Sequence, residues 1–564
     1  MSAFDRARAL ARLADEQFDV LVIGGGVTGA GVALDAASRG LKTALVEKAD
    51  FASGTSSKSS KMVHGGIRYL QQREFRLVYE NLAERQRLLD NAPHLVSPLP
   101  FLIPLFGRDG IVSKTVARSY SSALWLYDLT GGIRIGSRHR RISKAEALGH
   151  LPNFDTDRLV AGFLYFDARV DDARLTLTLL RTAVLGYGAA VANYAEAVGF
   201  LTGDDGRVRG AQIRPRGSDQ VLDLEASVVV NATGVWADDV QSLDGTGHPD
   251  SLRPAKGVHV TVPAALFPTD IAAVIPVSKD RRSIFVVPWV EADLIYLGTT
   301  DTAYEGSLEN PHCTPEDVDY LLAAINAVSE TTISRGDVTG VWAGLRPLLA
   351  PKGGAHLSER TSDLSRRHRV QTSASGIVSV TGGKLTTYRK MAQDAVDEVV
   401  TRIGGPLRGR RCVTKSLRLN GTARPHFAAP TQFPGITQAQ HAHLQARYGT
   451  ETADVLAVAE GRPELLEPIV GGLGYLAAEV VYAARAEMAQ GVGDVLARRT
   501  RALIQDARGA AAAAPAVAAL LAPELGWSEE RAAAEASEFA GAALEDLRLA
   551  GLSDTDHVAA AEAT

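Results

Sequence analysis

Residues 18–47 read FDVLVIGGGVTGAGVALDAASRGLKTALVE. The apolar run at 20–23, between Asp19 and the glycines, has the character of a buried parallel strand. Gly24-x-Gly26-x-x-Gly29 follows, then small residues at helical spacing (Ala30, Ala33, Ala37) and Gly40 as a stop. A second apolar strand, 43–46, ends in Glu47. Gly24 allows the tight turn, Gly26 admits a pyrophosphate to the backbone, and Gly29 lets the helix pack closely on the strand. The helix N-terminus offers free N–H groups and a partial positive charge. Glu47 can accept hydrogen bonds from both ribose hydroxyls. A glycine triplet alone is weak evidence. With strand, helix, strand and terminal acid all in place, the stretch predicts a bound adenine dinucleotide.

Bulk properties set the frame. At 564 residues the chain exceeds one simple core, so two or three domains are expected. With 46% hydrophobic and 22% charged residues it reads as a soluble globular protein. A net charge of −5 argues against a nucleic-acid partner, which usually needs a basic excess. The two cysteines, Cys313 and Cys412, are far apart and lack metal spacing. They imply a reducing compartment, with no disulfide framework and no zinc site. The N-terminal MSAFDRARALARLADEQ is charged and helical in pattern, without the apolar core of a signal peptide. No apolar run approaches the roughly 18 residues a membrane span needs, so a cytoplasmic location is expected.

Beyond Glu47, residues 51–70 (FASGTSSKSSKMVHGGIRYL) combine hydroxyls, cations and paired glycines. Such a run cannot be a core element, because its polar groups would need partners. It reads as a loop laid against the cofactor rather than a Ser-rich linker, with Thr55, Ser56, Ser57, Lys61, His64, Gly65 and Gly66 as contacts. A helix is predicted over 75–91 with Leu77, Leu82, Leu88 and Leu89 on its buried face, broken by Pro93, Pro98, Pro100 and Pro104. The stretch YSSALWLYDL, 120–129, reads as core packing rather than a membrane-facing surface. Asp171 or Asp172 caps a further helix. VVVNATG, 228–234, is a strand running into a tight turn that returns the chain to the cofactor at Ala232, Thr233 and Gly234. Residues 254–300 read mainly as strands of an antiparallel substrate domain. IVSVTGGKLTTYRKMAQDAV, 377–396, repeats the strand, double glycine and helix theme: Gly382 and Gly383 place backbone N–H groups and a helix N-terminus toward an anionic or polar ligand edge, with Gly383, Lys384, Leu385 and Thr386 as cofactor contacts. Prolines and arginines mark a linker at 406–434, and 435–564 reads as a helical domain whose Arg498, Arg499 and Arg501 form a solvated or salt-bridged face.

NAD and FAD both suit such a fold. The fingerprint lies almost at the N-terminus, the chain returns to it late (228–234 and 377–389), no second Gly-x-Gly-x-x-Gly occurs, and the Ser-rich loop is long enough to run toward an isoalloxazine. These features favour FAD. FDVLVIGGGVTGAG, TSSKSSKMVHGGIRYL, VVNATGVWAD, GLRPL and VTGGKLTTYRKMA together resemble the FAD-dependent glycerol-3-phosphate dehydrogenases, members of the D-amino-acid-oxidase-like (glutathione-reductase-type) flavoproteins. The resemblance covers roughly residues 15 to 405, and RRTRALIQDA is similar to the family's helical domain. It implies an α/β Rossmann-like FAD-binding domain, an antiparallel-sheet substrate domain and a C-terminal all-helical domain. The FAD-binding parts would span about 15–75, 150–250 and 350–405, and the substrate parts 76–149 and 251–349.

The resemblance further implies hydride transfer from sn-glycerol 3-phosphate to a non-covalent FAD. Arg68, Tyr69, Arg346, Arg366 and Lys384 would line the substrate pocket. Arg suits bidentate capture of phosphate, and Arg346 or Lys384 would stabilise charge developing on the carbinol oxygen. His64 is the candidate proton acceptor, or else orients the loop or the flavin. A quinone is the implied electron acceptor, with peripheral contact at the inner face of the cell membrane and a homodimer as the assembly; some relatives use oxygen instead. An amine or amino-acid oxidase on the same fold, and a flavin-containing binding or assembly protein, are the competing readings.

Overall fold

Asp5 accepts a hydrogen bond from the Arg8 amide and so caps the first helix, α1 (Arg6–Asp15), which buries Ala9 and Leu13. In the computed structural model, residues 4–552 are described except 72–73, 108–113, 156, 158, 246–250, 278–281, 351–366, 408 and 424–434. β1 (Phe18–Ile23) is buried at every position except Asp19. α2 (Val27–Ser38) follows, then β2 (Thr43–Val46), parallel to β1. Almost every residue of α2 is buried, because later helices cover both its flanks. A helix enclosed all round needs small side chains, and a Cβ on Gly31 would lie 2.8 Å from the Tyr388 ring.

The chain then leaves for a second layer: β3 (Met62–Val63), α3 (Arg68–Gln71), α4 (Phe75–Asn91), β4 (Val96–Phe106), α5 (Lys114–Leu129), β5 (Arg140–Ser143), α6 (Lys144–His150) and β6 (Leu159–Val170). α4 buries Val78, Leu82 and Leu88, with Leu77 and Leu89 half-buried. Of the prolines expected to break the chain after α4, Pro93 precedes β4, and the other three lie inside it, where it pairs along its length with β6. Pro98, Pro100 and Pro104 occupy alternate positions, so their missing donors fall on one edge and leave the other edge whole. α5 divides its aromatic stretch: Leu124 and Tyr127 are buried, whereas Trp125 is 50% and Leu129 78% exposed. The expectation of core packing holds for one face only.

α7 (Asp172–Tyr187), capped by Asp171, returns the chain to the first sheet. β7 (Ala190–Ala192), β8 (Ala195–Thr202), β9 (Val208–Pro215) and β10 (Leu222–Asn231) follow, then α8 (Ala237–Ser242). The second sheet resumes with β11 (Leu252–Pro263), β12 (Ala272–Pro276), β13 (Ser283–Trp289), β14 (Leu294–Gly298) and β15 (Thr302–Ala303). α9 (Pro315–Asn326) and β16 (Gly340–Leu349) complete it. β17 (His368–Thr372), β18 (Val378–Gly382) and α10 (Tyr388–Ile403) close the first layer.

The first sheet runs β17-β18-β10-β1-β2-β7, parallel except for β17, with the β8–β9 hairpin attached to the first half of β10. The second runs β15-β11-β14-β13-β12-β4-β6-β3, with β16 on β11 and β5 on β6. It is antiparallel apart from the short β12–β4 pair. β3 and β6, expected with the cofactor-binding part, belong to this second sheet.

The C-terminal part is helical: α11 (Gln438–Tyr448), α12 (Thr452–Ala457), α13 (Ala477–Glu487), a π-helical turn Asp494–Arg499, α14 (Ala502–Gln505), α15 (Ala507–Leu525) and α16 (Glu529–Leu549). Of the two readings of the arginine cluster, solvated or salt-bridged, the second holds: Arg499 and Arg501 are each 1% exposed. They enter the rest of the protein as ion-pair partners of Asp50 and Asp172, residues some 330 to 450 positions away in sequence. No helix among the described residues is long and apolar enough to cross a membrane.

Candidate active site

The C-terminal ends of β1, β10 and β18 lie side by side, where parallel α/β sheets open a crevice. A cavity of about 620 Å³ occupies it, bordered by Gly24, Glu47, Ser56, Thr233, Trp236 and Lys384 among others. That volume suits a cofactor, for which sites of about 300–1,000 Å³ are usual. Gly24 turns at φ +109°, with Ala232 so close that a Cβ would meet its carbonyl oxygen at 2.7 Å. A Cβ on Gly29 would meet the Gly24 oxygen at 1.9 Å, which is why the helix can start so near the strand.

Polar groups are arranged around this crevice for a dinucleotide. The Val27 amide, in the first turn of α2, donates to Ser56 Oγ at 2.8 Å. Glu47 is oriented by two backbone donors, Gly25 N at 2.7 Å and Ala49 N at 2.9 Å, while burial pushes its carboxyl pKa up. Trp236 Nε1 is buried without an acceptor among the described residues, so a phosphate or ribose oxygen in the crevice would complete it. The residues present fit FAD.

Gly382 to Leu385 border the cavity, and the HGG segment, which does not, meets the same turn at Thr386. The His64 amide donates to Thr386 Oγ1 at 3.2 Å. The Gly65 amide is shared between Tyr127 OH (2.9 Å) and Asp167 Oδ1 (3.2 Å), and Asn81 donates to the Gly65 carbonyl at 2.8 Å. Asp167 is fully enclosed: burial raises its pKa, against the Arg85 guanidinium at 2.7 Å and the Tyr127 hydroxyl at 2.6 Å. Gly66, at φ +79°, starts the turn that carries Tyr69 onto Lys384.

Arg346 lies on β16, adjoining the cavity through Pro347. Its guanidinium donates to Thr299 Oγ1 at 3.0 Å and Asp301 Oδ1 at 3.1 Å, which fixes its orientation. The neighbouring carbonyl of Leu345 accepts from Thr55 Oγ1 at 2.6 Å, tying β16 to the Ser-rich loop.

His259, absent from the sequence reading, lies opposite Trp342 on the adjoining strand β11. Its ring stacks on Trp342 with centroids 4.7 Å apart, and Nε2 sits 2.7 Å from Ser60 Oγ. Burial, then the charges of Lys61 and Arg346, hold its pKa well below the usual imidazole range, so it is neutral at physiological pH. A lone histidine in the apolar run VHVTV was the available signal.

Other predicted residues are placed differently. Lys61 turns away from the crevice: Nζ donates to the Ser59 carbonyl at 3.3 Å, lies 4.4 Å above the Trp342 ring and is 3.7 Å from Asp172. It borders a second cavity, about 240 Å³, against the helical part. Burial, only partly offset by the Asp172 charge, lowers its pKa to about 8. Ser57 gives its carbonyl to Arg501. Arg68 belongs to α3, but its side chain is outside the described set, as is the whole of Arg366.

Comparison with known proteins agrees with this geometry. Residues 19–389 match the family of FAD dependent oxidoreductases, and 412–532 match the C-terminal domain of alpha-glycerophosphate oxidase. The chain is 45% identical to glycerol-3-phosphate dehydrogenase 2 of Mycobacterium tuberculosis over 531 residues, 93% of this chain and 87% of that protein. It is 37% identical to the mitochondrial glycerol-3-phosphate dehydrogenase of Mus musculus, covering 91% and 71%. The crystal structure of the Bacillus halodurans glycerol-3-phosphate dehydrogenase complexed with FAD superposes with a TM-score of 0.75 at 32% identity, over 97% of this chain and 98% of that one. The chain therefore belongs to the FAD-dependent oxidoreductases, within the group of glycerol-3-phosphate dehydrogenases.

Proposed function

We propose that the protein oxidises sn-glycerol 3-phosphate to dihydroxyacetone phosphate and passes the electrons to a quinone. The observation that carries this reading is Lys384, which borders the dinucleotide cavity together with Pro347 of the Arg346 strand and holds its ammonium over the Tyr69 ring. Bound FAD supplies a two-electron hydride acceptor. The chain's own residues do the rest. Planar guanidinium groups, Arg346 with Arg68 and Arg366, suit the substrate phosphate. Lys384 supplies a point charge for the carbinol oxygen, where negative charge grows as C2 loses hydride. The hydroxyl proton needs an acceptor, and the neutral imidazole of His259 is suited to take it. His64, the candidate from sequence, is the alternative acceptor; its backbone amide joins the HGG turn to Thr386 Oγ1.

The electron acceptor is argued from the surface. Trp125 and Leu129 on α5, Phe75 and Tyr79 on α4, and Ile133 are all exposed. Arg134 stacks over Tyr79 at 5.1 Å, and Arg118, Arg138 and Arg141 are exposed in the same part of the chain. Aromatic and aliphatic groups with snorkelling arginines suit the interface of an anionic bilayer, where a quinone is available. Steady-state turnover of glycerol 3-phosphate with a short-chain quinone, against turnover with oxygen alone, tests this reading. Faster turnover with the quinone is expected. Peroxide formed at the same rate without it would assign an oxidase.

A further inference from the structure

We propose that Arg498, Arg499 and Arg501 of the helical part are positioning residues for the cofactor, acting through the Ser-rich loop at 50–60. The loop is held at its start and in its middle by this one cluster. At the start, Arg499 grips Asp50 with two bonds of 2.6 and 2.8 Å, Arg498 adds a third at 2.6 Å, and Asn193 a fourth at 3.0 Å. Asn193 also donates to the Met488 carbonyl, so even this contact leads back to the helical part. In the middle, Arg501 donates to the Ser57 carbonyl and lies 3.3 Å from Asp172 Oδ1. The other oxygen of Asp172 receives the Ser59 amide at 3.0 Å and its hydroxyl at 2.7 Å.

Between and just beyond those two anchor points the loop makes its functional contacts. Ser56 Oγ stands at the Val27 amide, where a pyrophosphate approaches α2. Thr55 holds the carbonyl next to Arg346, and Ser60 meets His259. One segment of 11 residues thus touches the dinucleotide turn, the arginine strand and the buried imidazole. Its polar composition gives it no core of its own, and ordering such a chain is unfavourable without fixed partners. A buried carboxylate such as Asp50 is itself tolerated only while its cations remain in place. The arginines therefore couple the helical part to cofactor affinity, and they act beyond simple attachment of one layer to another.

The test uses the full-length protein and its bound flavin, and rests on the first cavity being the FAD site. Titration of the unmodified apoprotein with FAD examines that assignment separately. For Arg501→Gln, the FAD dissociation constant is expected to rise at least tenfold and the KM for glycerol 3-phosphate to rise with it. Arg501→Lys, which keeps the charge, is expected to move both in the same direction by less. A folded variant with lowered melting temperature but parental flavin affinity and KM would overturn the proposal. Hydrogen exchange on the unmodified protein needs no variant: FAD is expected to slow exchange at 494–501 together with 50–60. Slowing confined to 50–60 would overturn it equally.

Discussion

Lys384 Nζ lies 3.8 Å from the centre of the Tyr69 ring. The ammonium belongs to the double-glycine turn after β18 and the phenol to α3, so this contact joins the two segments at the end of the cofactor cavity. A cation held on an aromatic face gives up part of its hydration and keeps its charge directed. Lys384→Ala and Arg346→Ala are each expected to retain flavin while kcat falls by about a hundredfold or more, the scale of losing one donor to developing charge. Flavin absorbance of the purified variants and steady-state kinetics check both halves.

Trp236→Phe keeps the ring but deletes an indole donor buried beside the cofactor cavity. FAD affinity should fall about fivefold, the worth of one net hydrogen bond near 1 kcal/mol. Fluorescence titration of the apoprotein measures it.

The neutral state of His259 has a definite pH signature. Its folded pKa lies well below the unfolded value near 6.5, because burial and the Lys61 and Arg346 charges disfavour the imidazolium. Below about pH 6.5 the unfolded chain binds a proton that the folded one refuses, so stability falls as pH drops through that value. His259→Asn should remove this contribution and lower kcat by roughly a hundredfold, with His64→Asn costing less. Thermal unfolding between pH 5 and 8, with kinetics on both variants, separates the two histidines.

Asp50 shifts stability in the same direction, but in a more acidic window. Burial raises its pKa, but the Arg499 and Arg498 charges overcome that and hold it at about 2. Its stabilising contribution is full above the unfolded pKa near 3.9 and is lost as pH falls toward 2. The parent should therefore melt above Asp50→Asn at pH 6, with the gap closing below pH 4. Calorimetry across that range reads it directly.

For the exposed aromatic face, Trp125→Ser with Leu129→Ser is expected to reduce sedimentation with anionic vesicles several-fold. Turnover with a water-soluble acceptor should remain that of the parent, since neither residue borders the cofactor cavity.

What could be read from the sequence follows the range of the interactions involved. The turn from Gly24 to Gly29 and the acid at Glu47 are local devices whose tasks show in their spacing, and GGKLTT repeats the theme. For Arg498, Arg499 and Arg501 the salt-bridged alternative was legible but the partners were not, because Asp50 and Asp172 lie some 330 to 450 positions away. His259 was lost for a related reason: nothing local reveals that Ser60 and Trp342 enclose it. The prolines of β4 read as a break because sequence does not show that all three share one strand edge.

The most direct measurement is anaerobic mixing of the flavin-loaded protein with glycerol 3-phosphate while its visible absorbance is followed. The account predicts bleaching of the yellow band by glycerol 3-phosphate, little or none by glycerol or by an amino acid, and severe slowing in Lys384→Ala. A flavin that stays oxidised with glycerol 3-phosphate, or that an amine reduces faster, would contradict it.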